Sequence, residues 1–470
     1  MHIDFNPANI NWSTLTEQPN QWGGYNVFRG VPYQRGNGLG SVFRSFLRYL
    51  IPIGKEIGSA IGRQGLESGN RVLSNVLEGK NLKESLVTEG KSGLKNLLQK
   101  ASENVDKQSG KDSPYLFRLF SDNLWTDLSR TYLYLELSIE KLGTNGKWVD
   151  IEATDNNIGS IQGIGQTFVQ QLKVTVGNTE VYDSGTLYPY KAYITNELSF
   201  PDNVKSHFLA SIGYYKSEKH DDPTDDGFKN RCSIFANGKR SQFLSRLDFD
   251  LGNQELFLLN NLDIHFSIYK NKDAFILQNI KEGDTNQYRL YVHDVKLFSK
   301  MVEVQPSLNM NIYKTLESKP ATYAVRRTEM KSTYLTSGRT EIEYNAFSSA
   351  IPRRITVALV SNKAFNGDIA LSPFNFKPFD IRDISVHTGG HIYPMVAYKL
   401  KWMDLFVIPL TSTLDDSCGF ELLKSGTTSV RLEFNTPIPA GGVEMIILGE
   451  FDQMIMIDYN RHIVTDSNLG

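Results

Sequence analysis

The sequence is short of cysteine, with only Cys232 and Cys418 in 470 residues. The two lie far apart and show neither a metal-site spacing nor a disulfide framework, so we expect folding in a reducing compartment. No run approaches the roughly 18 apolar residues that span a bilayer, and the first residues lack the basic-then-apolar pattern of a secretory signal. The sequence thus predicts a product that is soluble or assembles into something soluble.

Net charge is also nearly absent, since 50 basic and 52 acidic residues leave −2. Taken whole, the chain gives no electrostatic case for binding nucleic acid or a membrane. Residues 29–105 differ, because they hold 12 Lys and Arg against 6 Asp and Glu, a net of 12 − 6 = +6. One region is therefore basic, and the rest is mildly acidic.

The basic region predicts an arm. Residues 1–40 show no periodic spacing of apolar residues. From 42 to 51, apolar residues recur on one face of a predicted helix, and Pro52 ends or kinks that helix. Glycines then recur at helical spacing, which favours close helix packing in lipid or in assemblies. Residues 103–114 are polar and end in Pro114, so we place the boundary there and assign 1–112 to a helical or disordered arm. The glycines of this stripe are Gly54, Gly58, Gly62, Gly65 and Gly69.

After this boundary the pattern favours β-strands. Residues 132–139 and 262–269 alternate between apolar and polar, and Phe and Tyr are abundant at 26 and 22, as half-buried strands prefer. Many short strands with turn residues between them predict a mainly β sandwich or barrel. Further predicted strands are 168–176, 288–298, 355–360, 430–434 and 443–448, and predicted turns are 143–146, 237–238 and 389–390.

A weak internal duplication predicts two similar sandwiches. Residues 174–182 resemble 384–393, and each is followed by an Ala-Tyr step, at Ala192-Tyr193 and Ala397-Tyr398. Residues 262–268 with 274–277 resemble 443–448 with 454–457 in the same order. The linker between the halves is expected at 306–320.

No catalytic constellation emerges from the sequence. The glycines at 36, 38 and 40 follow no strand, and residues 143–147 lack the P-loop spacing. His387 and His391 could belong to a cupin-like metal site, but they flank Thr-Gly-Gly and favour a hairpin turn. The acidic stretch 221–227 could take Ca²⁺, yet its register differs from an EF-hand and a solvated loop is favoured; residues 415–416 are interpreted likewise.

Basic residues leave several interpretations open. The pairs at 239–240, 326–327 and 353–354 could contact neighbours or nucleic acid, or could protect strand edges. The arm could be a membrane-active helix, line an inner shell near nucleic acid, or dock on the β body. The modest charge density favours the first and third interpretations of the arm.

Residues 127–137, 188–194 and 257–266, with 272–275, 324–327, 449–452 and 457–458, resemble the double jelly-roll major capsid proteins of Polinton/Maverick elements and adintovirus-like viruses. The resemblance implies two eight-stranded jelly rolls, at 113–305 and 306–470, and homotrimers that form pseudo-hexameric capsomers of an icosahedral shell. The arm departs from this pattern and resembles a minor or core protein of adenovirus-like virions. Residues 21–24 are similar to Gly-Gly maturation sites, although Gln21 stands where an aliphatic residue is expected.

We therefore expect a structural capsid subunit in the virion, and not an enzyme. Its expected partners are copies of itself, penton and minor capsid proteins, and a membrane or inner-capsid surface contacted through residues 41–77. Contact with nucleic acid is only weakly suggested. Alternatives are a minor vertex protein with a membrane-active arm and a jelly-roll module that binds glycans or receptors. No catalytic, cofactor-binding or metal-binding residue is assigned.

Overall fold

The computed structural model describes residues 113–281, 283–394, 405–411 and 425–465, and these are mainly β-strands. The first group of strands spans 115–302 and is called barrel 1. Its strands are β1 (Tyr115–Phe120), β2 (Trp125–Leu142), β3 (Trp148–Asp150), β4 (Ile158–Ser160), β5 (Val169–Val176), β6 (Thr179–Asp183), β7 (Ser241–Arg246), β8 (Asp263–Lys270), β9 (Leu277–Asn279) and β10 (Tyr288–Val302).

The second group of strands spans 321–465 and is called barrel 2. Its strands are β11 (Ala321–Leu335), β12 (Glu341–Phe347), β13 (Arg354–Ser361), β14 (Ile381–Thr388), β15 (His391–Tyr393), β16 (Leu405–Pro409), β17 (Thr428–Phe434), β18 (Val443–Ile457) and β19 (Ile463–Thr465). The α-helices of the described residues are α1 (Ile164–Thr167), α2 (Tyr188–Ser199), α3 (Asp202–Phe208), α4 (Asp226–Ser233), α5 (Asp273–Ile276), α6 (Pro306–Leu316) and α7 (Asn362–Phe365).

Barrel 2 has the strand order of a jelly roll. One sheet runs β11-β18-β13-β16 and the other β12-β17-β14-β15. If eight consecutive strands are numbered from the first, these orders are first-eighth-third-sixth and second-seventh-fourth-fifth. That arrangement results when one long antiparallel hairpin folds over itself into two facing sheets. The short strand β19 adds to β18.

Barrel 1 has the same order in seven strands. Its sheet β1-β8-β5-β6 corresponds to β12-β17-β14-β15 of barrel 2. Its other sheet holds β10, β2 and β7, which correspond to β18, β13 and β16, while the short β3 pairs with the end of β2. The described part of the chain is thus a double jelly roll, as the sequence predicts.

The two ends of the barrels differ. Long connections, 143–168 and 184–240, leave barrel 1 at the end where β2 finishes and β10 begins, and we call this the loop end. The opposite end holds the connections 121–124, 254–262 and 458–462 and the helix α6, which links β10 to β11; we call it the linker end. Contacts between residues of these segments, such as the 3.1 Å hydrogen bond from the Tyr313 hydroxyl to Asn260 Oδ1, hold the linker end together.

Each predicted strand lies within an observed one to within one residue at its start, but the duplication is only half correct. Residues 174–182 and 384–393 form the equivalent hairpins β5–β6 and β14–β15, with left-handed Gly177 at one turn and Gly389 and Gly390 at the other. The second match is wrong, because 262–268 is β8, whose equivalent is β17, whereas 443–448 belongs to β18, the equivalent of β10. Residues 395–398 lie outside the described part of the chain.

Of two other expected turns one is present and one is not, and the linker differs from the expectation. The turn 143–146 is present, with Gly146 in the left-handed region. Residues 237–238 lie in a 3₁₀ turn that precedes β7 and do not join two strands of a hairpin. The expected linker is mostly helical, because Pro306 begins α6 at a position where its missing N–H costs no hydrogen bond.

Candidate assembly interfaces

The barrels meet through a cluster of aromatic rings around helix α2. Tyr193 stacks on Phe374 of barrel 2 with ring centroids 4.3 Å apart and planes 10° apart. Tyr190 stacks on Phe365 at 5.5 Å and meets Phe374 edge-on at 5.6 Å. Tyr190, Tyr193 and Phe374 are all buried. Offset-stacked and edge-on pairs of this kind stabilise beyond the area they bury, so this cluster fixes one barrel on the other.

The hydroxyls of Tyr190 and Tyr193 are both removed from solvent. Burial raises the pKa of Tyr190 and of Tyr193 well above the usual phenol value, so both remain neutral. Within the part of the chain that the structure describes, the Tyr190 hydroxyl has no hydrogen-bond partner. A buried hydroxyl without a partner costs stability, so the ring and not the hydroxyl is what favours tyrosine here.

The neighbouring Lys191 is a fully buried cation held by two carboxylates. Its Nζ lies 3.1 Å from Asp250 Oδ1, 3.5 Å from Asp248 Oδ1 and 2.9 Å from the Tyr182 hydroxyl. Burial alone would lower the pKa of Lys191, but Asp248 and Asp250 raise it well above its usual value. Burial likewise favours the neutral form of Asp248, yet Lys191 keeps the pKa of this carboxyl below its ordinary value. Lys191 and Asp248 are therefore ionised together.

The Lys191 network extends into barrel 2. Thr328 of β11 donates its backbone N–H to Asp250 Oδ2 at 3.0 Å and its hydroxyl to Asp250 Oδ1 at 2.6 Å. Asp250 thus accepts hydrogen bonds from both barrels. Directional polar contacts in a buried place fix the relative position of the two barrels.

The acidic stretch 221–227 supplies a third contact between the barrels. Asp221 accepts hydrogen bonds from the Ser372 backbone N–H at 2.5 Å and from Asn375 Nδ2 at 2.6 Å. Asp225 is buried and accepts the Phe228 N–H at 2.8 Å, which caps α4. The favoured interpretation as a solvated loop is thus wrong for Asp221 and Asp225, because their carboxylates accept hydrogen bonds from other parts of the fold.

The basic pairs of the sequence analysis have different surroundings. Arg326 and Arg353 both form ion pairs with the buried Asp452, Arg353 through its Nε at 3.5 Å. Arg354 donates to Glu450 Oε1 at 2.5 Å. These ion pairs join β11, β18 and β13 within barrel 2, and β11 is the edge strand of that sheet. Lys239 and Arg240 are exposed before β7.

His387 and His391 lie on either side of the β14–β15 hairpin, as predicted. His387 Nε2 lies 3.1 Å from the Ser385 hydroxyl, and His391 is exposed. Within the described residues, no group of three or more His, Cys, Asp or Glu is placed to hold a metal ion. No described helix is long and apolar enough to cross a membrane. The residues at 36–40, 41–77, 415–416 and 418 lie outside the described part of the chain.

The two equivalent sheets use their outer faces differently. In barrel 2, Ala358, Ile446 and Leu448 point away from that barrel's own core and pack in the same cluster as Tyr190 and Phe374. Val357 and Ile447 alternate with them and point into the core of barrel 2. This sheet is therefore buried on both faces, which explains why β13 and β18 read as nearly continuous apolar runs.

The equivalent sheet of barrel 1 is buried on its inner face only. Leu133, Leu135 and Leu137 of β2 are fully buried inside the barrel. On the outer face, Tyr134 lies between Leu244 of β7 and Lys296 of β10. Leu244 is 38% exposed, and Lys296 Nζ lies 5.4 Å from the centroid of the Tyr134 ring. We call this surface, with Tyr291, the barrel 1 outer face.

Strand registers show which residues correspond between the two outer faces. The rows Arg246–Tyr132–Phe298 and Pro409–Arg354–Glu450 both begin at the last residue of the equivalent strands β7 and β16. Counting from these rows, Tyr134, Glu136, Asp294 and Lys296 correspond to Thr356, Ala358, Ile446 and Leu448. Barrel 1 therefore carries charged and aromatic residues where barrel 2 carries the small and apolar residues that pack on barrel 1.

Comparisons with known proteins fall short of assigning a family. No protein-family model matches the chain. The Caenorhabditis elegans protein named uncharacterized protein F54H12.2 is 26% identical over 400 residues, covering 76% of this chain and 94% of that protein.

Solved structures with a similar arrangement come from viruses. A chain of the Sputnik virophage structure covers 78% of this chain and 88% of its own length, with 11% identity and a TM-score of 0.49. The mavirus major capsid protein covers 78% and 89%, with 10% identity and a TM-score of 0.48. Since both scores are below 0.5, the jelly-roll assignment rests on the strand order and pairing described above.

A separate surface at the linker end exposes apolar side chains. Met310 of α6 is 63% exposed and Leu308 is 52% exposed. Phe120 and Leu124 lie beside the connection between β1 and β2 at the same end. Exposed apolar residues that collect at one end of a protein mark a contact surface more often than scattered ones do. The exposed members at this end are Phe120, Leu124, Leu256, Phe257, Leu308, Met310 and Tyr459.

The residues that join the barrels were not recognised as contacts from the sequence. Residues 188–194 enter the sequence analysis only through the family resemblance, and the sequence analysis does not predict that Lys191 is buried. One signal was available, because a lysine among Tyr188, Tyr190 and Tyr193 interrupts an otherwise apolar stretch. A buried lysine needs acidic partners, and Asp248 and Asp250 stand close to each other further along the chain.

Proposed function

We propose that this chain is a structural capsid subunit in which three copies form a ring of six similar barrels. The observation that carries the proposal is the correspondence between the two outer faces. The outer face of barrel 2 packs on barrel 1 of the same chain, whereas the barrel 1 outer face has no such neighbour among the described residues. A second copy that offers its barrel 2 to this face repeats the contact found within the chain.

Such repetition closes a ring when the rotation between barrels is about one sixth of a turn. Two barrels per chain and three chains then give six barrels around one axis. This head-to-tail contact is heterologous, and a heterologous contact that closes makes a ring instead of a filament. A ring of six similar units packs hexagonally, as a shell requires.

The chemistry of the two faces fits their different roles. The barrel 2 outer face carries Ala358, Ile446 and Leu448 and is covered as the chain folds. The barrel 1 outer face carries Glu136, Asp294 and Lys296 with tyrosines between them. A face that stays in water until another subunit arrives must be soluble alone, and interfaces that form after folding are richer in tyrosine and polar groups.

The proposal includes the more specific origin that the sequence suggests. The motifs given above resemble major capsid proteins of Polinton/Maverick-like elements, and a nematode relative fits an element that resides in an animal genome. We assign 1–112 to the arm, 113–305 to the first jelly roll and 306–470 to the second. The proposed location is the virion capsid, with penton and minor capsid proteins as further partners and residues 41–77 facing a membrane or the inner shell.

The mass of the purified full chain tests the ring. Native mass spectrometry and light scattering should give three times 53.1 kDa, and negative-stain images should show particles with a hexagonal outline. A species that remains a monomer at all concentrations, and shows two lobes in images, would contradict the proposal.

Substitutions on the barrel 1 outer face test where the copies meet. Tyr134→Asp and Leu244→Asp should each convert trimers into monomers, because an unpaired carboxylate is costly to bury in an interface. Ser267→Asp is the matched control, since Ser267 lies on the outer face of the opposite sheet and pairs in register with Lys173. Ser267→Asp should remain a trimer, and all three variants should keep the secondary structure of the parent chain, measured by circular dichroism. If Ser267→Asp alone abolished the trimer, the assignment of the face would be wrong.

A further inference from the structure

The described part of barrel 1 fills seven of the eight positions of the jelly-roll strand order, whereas barrel 2 fills all eight. In barrel 2, β18 pairs with β13 on one edge and with β11 along all 15 residues of its other edge. The equivalent strand β10 pairs with β2 on one edge. Among residues 113–281, 283–394, 405–411 and 425–465, no strand pairs with the other edge of β10. The position that β11 holds in barrel 2 is therefore open along most of β10 in the described part of barrel 1. At Leu290 the backbone N–H donates to Asp273 Oδ1 and the carbonyl oxygen accepts from Lys270 Nζ, both at 3.3 Å.

An edge of this length is costly to leave open. β10 spans 15 residues, and about half of their backbone N–H and C=O groups point away from β2. Open edges invite pairing with other chains, and proteins cover them or keep them short. Tyr291 and Phe298 also lie on this strand, so its edge is neither short nor wholly polar.

We propose that residues from the arm, at about 95–109, form the missing strand by pairing antiparallel with β10. In barrel 2, β11 ends at Leu335 and β12 begins at Glu341, so five residues lie between the two strands. The same spacing before β1, which begins at Tyr115, places the end of a 15-residue strand at 109 and its start at 95. This inference concerns one chain alone and does not depend on the proposed trimer.

The described chain begins where such a strand would have to end. Tyr115 pairs in register with Ile268 of β8. Two residues further along β8, Lys270 Nζ lies 3.3 Å from the Leu290 carbonyl oxygen, near the first residue of β10. The chain before Tyr115 therefore starts at the loop end beside the start of β10, within reach of a short connection.

The sequence of the segment is compatible with an edge strand. Residues 95–109 contain no proline, so no backbone N–H that would face β10 is missing. They include Lys95, Lys100 and Lys107, and lysine is the residue that most often blunts the free side of an outer strand. Pairing with β10 uses backbone groups, so an alternating apolar pattern is not required of this strand.

The direction of the strand has a consequence for the rest of the arm. A strand antiparallel to β10 runs from the linker end to the loop end. Residues 1–94 then leave the barrel at the linker end, where Leu308 and Met310 are exposed. Without the strand, the arm would leave from the loop end.

Cysteine cross-linking in the full chain tests the pairing. Lys296→Cys is combined in turn with Glu103→Cys, Asn104→Cys or Val105→Cys, which bracket residue 104, the residue opposite 296 in the register of barrel 2, and Cys418 is changed to Ser. At least one pair should form an in-chain disulfide on mild oxidation, seen as faster migration without reductant and as a linked peptide. Gln34→Cys with Lys296→Cys is the control and should give none.

Hydrogen exchange supplies an independent measurement on the same full chain. Peptides from β10 should exchange as slowly as peptides from β18, and Ala101→Pro should speed exchange in β10 by about tenfold or more. Asn20→Pro, beside Pro19, should leave β10 unchanged. The inference fails if no in-chain disulfide forms, if the disulfide links two chains, or if β10 exchanges equally fast with and without Ala101→Pro.

Discussion

Replacing Lys191 by Met tests whether the buried ion network holds the two barrels together. Methionine keeps the length and most of the volume of the side chain, so the change removes the charge without opening a large cavity. Asp248 and Asp250 then remain in the interior without the cation that lies 3.5 and 3.1 Å from them. Removing one partner of a buried ion pair leaves an uncompensated charge.

The expected loss in the free energy of unfolding is about 3–5 kcal/mol at neutral pH. The upper part of that range applies because Lys191, Asp248 and Asp250 are all buried. Hydrogen bonds from Thr328 to Asp250 and from Asn253 to Asp248 remain and limit the loss. Urea unfolding of the full chain, followed by tyrosine and tryptophan fluorescence, measures the difference.

The pH dependence identifies the cause. In the parent protein, the folded-state pKa of Asp248 is below its unfolded value, so its contribution is present above that value and is lost as the pH falls through the folded pKa. In Lys191→Met the cation that opposes the effect of burial is absent, so the pKa of Asp248 rises and the folded variant loses stability as the pH rises. The deficit should therefore shrink by about 1.4 kcal/mol per pH unit between about pH 7 and pH 5.

A second variant separates the charge from the packing. Lys191→Met with Asp250→Asn should recover part of the lost stability, since the amide oxygen still accepts from Thr328 while one buried charge is removed. A deficit that stays constant with pH and is not reduced in the double variant would refute the reasoning and attribute the loss to packing alone.

Three further tests have distinct expected outcomes; the first two use the same unfolding assay and the third uses a thiol reagent. Tyr190→Phe removes a buried hydroxyl and should leave stability equal or raise it by about 1 kcal/mol, whereas Tyr193→Ala should lower it by about 3–5 kcal/mol; equal losses would contradict the roles assigned to the two rings. Asp221→Ala should lower stability by about 1–3 kcal/mol, and the exposed Asp226→Ala by less than about 1 kcal/mol. Burial raises the pKa of the Cys232 thiol to about 12, so in Cys418→Ser a thiol reagent at about pH 8 should modify it only on unfolding.

The sequence predicts half-buried strands well and equivalences between strands poorly. β8 alternates because one face meets the core, and its pattern is visible over 262–269. β18 is buried on both faces from Val443 to Leu448. Its nearly continuous apolar sequence therefore indicates that the strand is buried but not which strands pair with it. Matching β8 to β18 compared two apolar strands that hold different places in their sheets. Position in a sheet depends on non-local pairing, which a local pattern does not encode.

The contacts between the barrels escape sequence analysis for a related reason. Helix α2 is buried from Tyr188 to Ile194, so it lacks the polar stripe that identifies a surface helix. Asp221 lies in a stretch typical of a solvated loop, and its partners Ser372 and Asn375 are about 150 residues away in the chain. A satisfied buried carboxylate and a solvated one look the same in a sequence.

The two equivalent outer faces also imply an order of events. Apolar Ile446 and Leu448 require barrel 2 to dock on barrel 1 while the chain folds, because a face of this kind exposed to water favours aggregation. The charged residues Glu136, Asp294 and Lys296 keep the corresponding face of barrel 1 soluble while it is exposed to water. If both faces were apolar, chains would associate before they finished folding; if both were charged, the barrels of one chain would not hold each other in register. In the proposed ring, one fold repeated with two surface chemistries would therefore give a subunit that folds completely before it associates with other copies.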